Sequence, residues 1–167
     1  MLIPTRIKGF TIRQALEKDT PLILWFIKEL AVYEKLENDV VATEEMIREH
    51  LFRASPKAEV IIGEYKGNPV GFALYFHNFS TFLGRPGIYL EDLYVIPEER
   101  GKGFGKSLLA YLAKLARDRD CGRLEWAVLD WNEPSIKFYE SIGARLMKEW
   151  ILNRMQGDEL ARLAEEF

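Results

Sequence analysis

The octapeptide Arg100–Ser107 reads RGKGFGKS and sets three glycines between an apolar run and an amphipathic helix. The apolar run before it covers Ile88–Val95. After it, apolar side chains recur at helical spacing, at Leu108, Tyr111, Leu112, Leu115 and Ala116. Glycines let backbone N–H groups turn toward a ligand, and a helix N-terminus adds unpaired donors and partial positive charge. The octapeptide therefore predicts a strand-loop-helix unit that binds an anion, most naturally a phosphate or pyrophosphate.

Two common phosphate-binding motifs do not fit this glycine loop. The Walker loop requires glycine at the first position of G-x-x-x-x-G-K-[ST], where this chain has Arg100. The dinucleotide pattern G-x-G-x-x-G fails because neither way of aligning it ends on a third glycine. The loop does match R-x-x-G-x-G, read from Arg100 through Gly103 to Gly105. A glycine-rich turn that binds nothing and a Walker-type nucleotide binder remain the alternatives.

The composition predicts one globular domain over residues 1–167. Hydrophobic residues make up 48% of the chain and charged residues 29%, which is enough to bury a substantial core. With 23 basic and 26 acidic side chains the net charge is −3, which disfavours nucleic acid as a partner. Cys121 is the only cysteine, so neither an intrachain disulfide nor a cysteine-clustered zinc site is expected. No signal peptide and no apolar run of ~18 residues is present, which predicts a cytoplasmic protein without a membrane partner.

Hydrophobic periodicity and turn residues predict the element order β-α-α-β-β-β-α-β-α-β. The predicted elements are a strand at 11–13, a helix capped by Thr20 and ending near Tyr33–Glu34, a helix capped by Thr43, a hairpin of 60–65 and 70–76, a strand at 89–95, the helix after the glycine loop, a strand at 123–129, a short helix from Asn132 to about Ser141, further strand within 146–155 and a charged C-terminal helix. The fourth and fifth strands, joined through a helix, form a parallel crossover. The order indicates a mixed sheet with helices on both faces.

Four blocks spread over most of the chain resemble one family of enzymes. They are IKELAVYE at 27–34, LED at 90–92, RGKGFG at 100–105 and WNEPSIKFY at 131–139, the last being the most specific. Together they resemble the GNAT superfamily of N-acetyltransferases and, within it, the spermidine/spermine branch that includes thialysine acetyltransferases. The resemblance implies an α/β (α+β) fold with a central, mostly antiparallel twisted sheet, splayed between the fourth and fifth strands, with pantetheine in the gap. It also implies a homodimer to which C-terminal segments contribute.

The resemblance places the acetyl-CoA site at the glycine loop and the fourth strand. Loop N–H groups would bind the pyrophosphate, while the two loop lysines either add charge or are solvated. Main-chain groups of the fourth strand would bind pantetheine, with one N–H polarising the thioester carbonyl. The residues after the fifth strand either contact CoA or only cap a helix. The predicted donor-binding residues are Leu93, Tyr94, Val95, Arg100, Gly101, Lys102, Gly103, Phe104, Gly105, Lys106, Asn132 and Ser135.

Acetyl transfer to a primary amine needs a base and an acid. An alkyl ammonium has a pKa near ~10.4 and must lose its proton before attack. Glu91 and Asp92 interrupt an apolar strand, whose successive side chains face opposite ways unless a bulge intervenes. The resemblance makes Glu91 the base, acting through water, and Asp92 a contact for the substrate ammonium; structural ion pairing is the alternative for both. Tyr139, whose phenol holds a proton at neutral pH, is the predicted general acid toward the CoA thiolate.

An acidic pocket is predicted for the amine. Tyr33 and Glu34 end the first helix at the position where the resembled branch touches its amine substrate, and Glu125 is a charge inside the fifth strand. With the two carboxylates of the fourth strand, Glu34 and Glu125 would attract a cationic substrate. Trp126 either walls this pocket or packs in the core.

These patterns predict an acetyl-CoA-dependent N-acetyltransferase that acts on a polyamine, thialysine or a similar small cationic amine by direct attack. Cys121 lies outside the predicted cleft, and His50 and His77 lack the spacing for a metal site or a catalytic triad. No metal and no covalent enzyme intermediate are therefore expected. The alternatives are an acetyltransferase for an amino acid or a protein N-terminus, and a non-catalytic CoA-binding module.

Overall fold

The computed structural model describes residues 1–167 and divides into two compact units, Met1–Ala127 and Val128–Phe167. The first unit contains a six-stranded sheet in the order β1-β2-β3-β4-β5-β6. The strands are β1 Leu2–Pro4, β2 Phe10–Gln14, β3 Glu59–Tyr65, β4 Asn68–Ser80, β5 Arg85–Val95 and β6 Leu124–Trp126. All neighbours are antiparallel except β5 and β6, which are parallel. The predicted mixed sheet and the parallel crossover are therefore confirmed.

Three helices of the first unit cover both faces of the sheet, as predicted. They are α1 Thr20–Glu34, α2 Glu44–Phe52 and α3 Phe104–Asp118. The α1 face is a core of Ile23, Phe26, Leu30, Ile47, Val60, Ile62, Phe72 and Tyr94. On the α3 face, Phe104 stacks on Phe10 with ring centres 4.3 Å apart. Strand side chains alternate between faces, so a central strand such as β3, in which Val60, Ile61 and Ile62 are all buried, contributes to both cores.

The starts of α1 and α2 show how local hydrogen bonds set helix boundaries. The Thr43 hydroxyl accepts a hydrogen bond from the Met46 N–H at 3.3 Å, which confirms the predicted cap of α2. The predicted cap of α1 is wrong, because Asp19 rather than Thr20 is the N-cap residue. The Thr20 hydroxyl instead donates to the Glu17 carbonyl at 2.6 Å, in the short 3-10 turn that leads into α1.

An ion-pair network around Arg13 ties this turn to the sheet. The Arg13 guanidinium donates to both oxygens of Asp19, at 2.7 and 2.9 Å, and to Glu64 Oε1 at 2.6 Å. Asp19 also accepts the Leu16 N–H at 2.7 Å. The Arg13 pair holds the pKa of the Asp19 carboxyl below its ordinary value. Because the network joins β2, β3 and the start of α1, it fixes α1 against its face of the sheet.

The second unit contains α4 Glu133–Ser141 and α5 Gly157–Ala164. Gly143, with φ +93°, follows the end of α4 as predicted. The strand predicted within 146–155 is wrong, since this unit contains no strand to pair with it. The segment instead exposes apolar side chains, at Met147, Trp150, Ile151, Leu152 and Met155. No helix in the chain combines the length and the apolar character that crossing a membrane requires.

Candidate active site

The glycine loop connects β5 to α3 as the sequence predicts. Gly101 and Gly103 have φ of 76° and 84°, in the left-handed region that favours glycine. Gly103 is the N-cap residue of α3, and no side chain caps this helix end. The first N–H groups of α3 are therefore available to an external acceptor, and the helix dipole adds partial positive charge. This arrangement can bind a pyrophosphate.

The three positions after Gly103 play different parts. Phe104 is buried in the core, where its ring lies against Phe10 and, at 5.0 Å, Tyr65. It anchors the loop and offers a ligand only its N–H. At Gly105 a Cβ would meet nothing closer than Val95 Cγ2 at 3.8 Å, an ordinary contact. Neither packing nor φ explains glycine here, whereas close approach of a ligand does. Lys106 is exposed.

Lys102, the other loop lysine, is ion-paired within the loop region. Its Nζ lies 2.7 Å from Glu99 Oε2 and 5.6 Å from the centre of the Tyr65 ring. This pair is exposed, so water and salt weaken it. Lys102 can therefore exchange Glu99 for an anion in the loop.

The end of β5 has an open edge beside the glycine loop. β6 pairs with β5 only as far as Leu90, opposite Trp126, whereas β5 continues to Val95. On the other side of β5, the Ile96 N–H donates to the Val70 carbonyl. Main-chain groups alternate in direction along an antiparallel strand, so those of Leu93 and Val95 face away from β4. These groups face the gap where pantetheine is expected. Tyr94 is different, since its main-chain groups face β4 and do not support the predicted contact.

A β-bulge places the two strand carboxylates. Leu74 pairs with Asp92 and Tyr75 with Leu90, so Glu91 is the extra residue of β5. Asp92 lies on the α1 face, because its cross-strand partner Leu74 packs against the α1 core. Glu91 is exposed and Asp92 half-buried. Strict alternation is therefore lost at the two positions predicted as base and substrate contact.

Asp92 carries the strongest electrostatic signature of the site. Burial, and after it the negative charges of Glu91 and Glu34, together raise the pKa of Asp92 from 3.8 to about 7. Burial also raises the pKa of Glu34. Glu34, Glu91 and Asp92 are hereafter called the acidic cluster. Their mutual repulsion is relieved by a bound cation, which is the chemistry expected of an amine site.

The last turn of α1 meets the glycine loop through Arg100. The Arg100 guanidinium carbon lies 4.7 Å from the centre of the Tyr33 ring and 5.3 Å from that of Tyr94. Arg100 Nε donates to the Val95 carbonyl at 2.8 Å. Sequence reasoning gave Arg100 to the donor site and missed these contacts, because no local pattern links the loop to α1.

The structure does not bring Glu125 into the acidic cluster. Glu125 Oε2 accepts from Asn78 Nδ2 at 2.7 Å and lies 2.8 Å from Arg123 Nε. Its charge is thus balanced by Arg123, the residue before β6, and a hydrogen bond joins it to β4. The sequence did contain a signal for this ion pair, because residues two positions apart in an extended segment, such as Arg123 and Glu125, lie on the same face. Trp126 ends β6 and is half-buried.

The second unit contains the remaining predicted residues. Asn132 Oδ1 accepts the Ser135 N–H at 3.3 Å, so these two residues form the N-cap of α4. Tyr139 lies near the end of α4, half-buried, with its ring centre 5.3 Å from that of Phe138. Pro134 in the first turn and this cap fix where α4 starts and hence the position of Tyr139 along the helix.

The isolated histidines and the cysteine have other surroundings. No group of three or more His, Cys, Asp or Glu side chains is arranged to hold a metal ion. His77 Nε2 lies 3.4 Å from Arg119 Nη1, and Arg119 is ion-paired with Glu59. Burial raises the pKa of the Cys121 thiol, which disfavours the nucleophilic thiolate.

Comparison with known proteins shows similarity to acetyltransferases over most of the chain. The model of the acetyltransferase (GNAT) family matches residues 24–144. Thialysine N-epsilon-acetyltransferases of Bos taurus and Sus scrofa are 39% and 40% identical, each over 92% of this chain and 96% of the relative. An L-ornithine N5-acetyltransferase of Arabidopsis thaliana is 34% identical over 94% of this chain and 89% of its own. An integron cassette protein from the mobile metagenome of V. cholerae has a TM-score of 0.78 and 30% identity, covering 94% of this chain and 98% of that one.

The family match spans the acidic cluster, the glycine loop and α4. Acetyltransferases of this family use acetyl-CoA, and the open edge of β5 beside an uncapped helix N-terminus is suited to that donor. The chain is therefore an N-acetyltransferase that belongs to the acetyltransferase (GNAT) family, in the branch of the thialysine N-epsilon-acetyltransferases.

Proposed function

We propose that this enzyme transfers the acetyl group of acetyl-CoA to a primary amine of a small substrate with at least two positive charges, such as thialysine, ornithine or a polyamine. The acidic cluster is the single observation that carries the proposal. Glu34, Glu91 and Asp92 concentrate negative charge beside the open edge of β5, and burial together with the two neighbouring charges raises the pKa of Asp92 to about 7. Relatives whose names specify thialysine and L-ornithine agree with such a substrate.

The donor side of the proposed site belongs to the glycine loop. The N–H groups of Gly101, Gly103 and the first turn of α3 bind the pyrophosphate, and Lys102 supplies charge once it leaves Glu99. The outward main-chain groups of Leu93 and the N–H of Val95 bind pantetheine and polarise the thioester carbonyl. Asn132 and Ser135 are proposed to contact CoA in addition to capping α4.

Acetylation of an ammonium group removes two protons from the nitrogen and supplies one to the sulfur of CoA. Glu91, exposed at the bulge, accepts the ammonium proton through a water molecule, and the neutral nitrogen forms a bond to the thioester carbonyl carbon. As the carbon–sulfur bond breaks, Tyr139 donates its phenolic proton to the departing sulfur, and the nitrogen releases its second proton, which returns Tyr139 to the neutral phenol through water. Asp92, with Tyr33 and Glu34, holds the second cationic group of the substrate. Trp126 contributes an apolar wall beside the amine.

We further propose that residues 1–167 act as a single catalytic domain, that the enzyme is a homodimer in the cytoplasm, and that it needs neither metal nor nucleic acid. The net charge of −3 supports the proposal that no nucleic acid is bound. Cell fractionation tests the location, and full activity in the presence of a chelator tests independence from metal.

A panel of amines tests the proposed function. The purified enzyme is incubated with acetyl-CoA and, separately, thialysine, ornithine, spermidine, alanine or a peptide with a free N-terminus, and release of the CoA thiol is followed. We expect turnover with the first three, and mass spectrometry identifies the acetylated amine. Turnover only with alanine or the peptide would overturn the proposed acceptor class. Binding of acetyl-CoA without acetylation of any amine would overturn the proposed chemistry.

A further inference from the structure

Arg100 joins the donor loop to the last turn of α1. Its backbone immediately precedes Gly101, the first glycine of the loop. Its guanidinium lies over two aromatic rings, 4.7 Å from Tyr33 and 5.3 Å from Tyr94, and its Nε donates to the Val95 carbonyl at 2.8 Å. One side chain therefore contacts α1, the open edge of β5 and, through the backbone, the pyrophosphate loop.

The last turn of α1 is more exposed than the turns before it. Core burial along α1 ends at Ala31, whereas Tyr33 is 36% exposed. Lys35 closes the helix in the left-handed conformation, with φ 63°. Helix ends lack partners for their terminal backbone groups and open more readily than helix centres. A contact from Arg100 to Tyr33 consequently acts on the exposed C-terminal end of α1.

We propose that Arg100 is a positioning residue for the acceptor site: its contacts with Tyr33 transmit occupancy of the donor loop to the last turn of α1, so that bound CoA orders Tyr33 and Glu34. This inference rests on the proposed function for the identity of the two sites. Binding in the loop fixes Gly101 and thereby Arg100, and Arg100 fixes the Tyr33 ring. Coupling of this kind is reciprocal, so a bound amine also strengthens binding of the donor.

Lysine cannot replace Arg100 as the connection between the donor loop and the last turn of α1. The planar guanidinium stacks on aromatic rings and donates from Nε at the same time, whereas an ammonium is a compact point charge. A cation–π contact at an exposed site corresponds to an effect of about two- to fivefold on an equilibrium constant. Arg100→Lys therefore keeps the charge near the loop while it removes the connection to α1.

Hydrogen exchange at the end of α1 tests the connection without any amine. The Lys35 N–H bonds to the Val32 carbonyl and the Leu36 N–H to the Ala31 carbonyl, so these two amides report opening of the last turn. Exchange is measured with and without CoA at a concentration that saturates each protein. We expect CoA to slow both amides in the wild type about two- to fivefold more than in Arg100→Lys. Arg117→Lys, which alters an arginine paired with Asp118 on α3, should behave as the wild type.

The outcomes separate this inference from the proposed function. Two results would overturn the role of Arg100 without contradicting the proposed donor site. One is that CoA slows exchange of the two amides equally in Arg100→Lys and the wild type, and the other is that CoA binds but leaves exchange of both amides unchanged. Failure of CoA to bind the wild type would overturn both.

Steady-state kinetics gives a second readout. Arg100→Lys and Tyr33→Leu should each raise the KM for thialysine at saturating acetyl-CoA with little change in kcat. The KM of the double variant should not exceed that of the single variant with the higher KM. Independent, additive effects of the two substitutions on KM would contradict the coupling.

Discussion

Glu91 and Asp92 show how one extra residue in a strand creates a site. In a regular strand these side chains would point to opposite faces, and one carboxylate would enter a packed core. The bulge at Glu91 breaks the alternation and leaves Glu91 exposed while Asp92 stays half-buried beside Leu74 and close enough to Glu34 for repulsion. Asp92 is thus a destabilising group at a position that we propose binds the substrate, and such a cost in stability is common at active sites.

Asp92→Asn is expected to stabilise the protein more at about pH 8 than at about pH 5. Because the pKa of Asp92 is raised from 3.8 to about 7, the folded state holds a proton over this interval that the unfolded state has released. The stability that this proton confers is complete below about pH 4 and is lost as the pH rises through 7. Asparagine does not titrate, so the difference in Tm between variant and wild type should grow with pH.

Asp118→Asn is the control for this measurement. Lys114 and Arg117 hold the pKa of the exposed Asp118 carboxyl below its usual range, so its removal should bring no gain at higher pH. A Tm difference for Asp92→Asn that stays constant or shrinks as the pH rises would show that Asp92 is not the carboxyl with the raised pKa.

Tyr139→Phe is expected to lower kcat by about 10²-fold, because the variant loses the proton donor to sulfur. The aromatic ring and its contact with Phe138 are retained, so the fold of α4 should be unchanged. Tyr111→Phe removes a phenol from α3 and should leave kcat unaltered. If Tyr139→Phe turns over at the wild-type rate with both substrates saturating, Tyr139 is not the general acid.

At the scale of elements, the glycine loop combines two requirements that single substitutions can separate. Gly101 and Gly103 are needed by the backbone, since both have positive φ. Gly105 lies inside α3 with room for a Cβ. The first two glycines therefore shape the loop, and we propose that the third leaves space for the donor.

Gly105→Ala should raise stability and weaken donor binding together. Alanine is better than glycine within a helix by up to about 1 kcal/mol, and its Cβ meets only an ordinary contact with Val95. In the proposed donor site the same Cβ would enter the space through which the pyrophosphate approaches the first turn of α3. We expect a higher Tm with a KM for acetyl-CoA raised about tenfold. Gly103→Ala, the comparison variant, should lose stability because of its φ of 84°. Unchanged donor affinity in Gly105→Ala would show that the ligand does not approach this position.

Local signals explain which elements could be predicted. Thr43, Pro134 and Gly143 act within one turn of the residues they cap, so the bounds of α2 and α4 were accessible from sequence. β1 was missed because three residues ending in proline carry no strand pattern and form only by pairing with β2. β6 ends at Trp126 rather than at 129, since parallel pairing with β5 stops there.

The residues of the candidate site could be named from sequence only where they stand in local motifs. The loop, the carboxylates and Tyr139 stand in contiguous motifs, and the sequence therefore named them. The bulge at Glu91 depends on the register between β4 and β5, and the Arg100–Tyr33 contact joins residues far apart in the chain. Neither follows from local spacing. The same reason explains why Glu125 was placed in the acceptor pocket, although its charge is balanced by Arg123.

At the scale of the whole molecule, the C-terminal region predicts self-association. Leu160 and Leu163 are 54% and 51% exposed on α5, and Phe167 follows them fully exposed. Apolar side chains at this spacing form one face of a helix that a second copy of the chain can cover. Light scattering should therefore give twice the mass of the chain, and Leu160→Glu with Leu163→Glu should reduce it to one. A wild-type protein found only at the mass of a single chain would contradict the proposed homodimer.

The preference for a second positive charge tests the central claim most directly. The measurement compares kcat/KM for thialysine with kcat/KM for the same molecule lacking its α-amino group, so that the acceptor amine is kept and one charge is removed. An acidic cluster that binds this charge predicts a preference for thialysine of about tenfold or more, which Asp92→Asn should reduce. Equal kcat/KM for the two amines, or no CoA release with either, would contradict an enzyme that acetylates small dicationic amines.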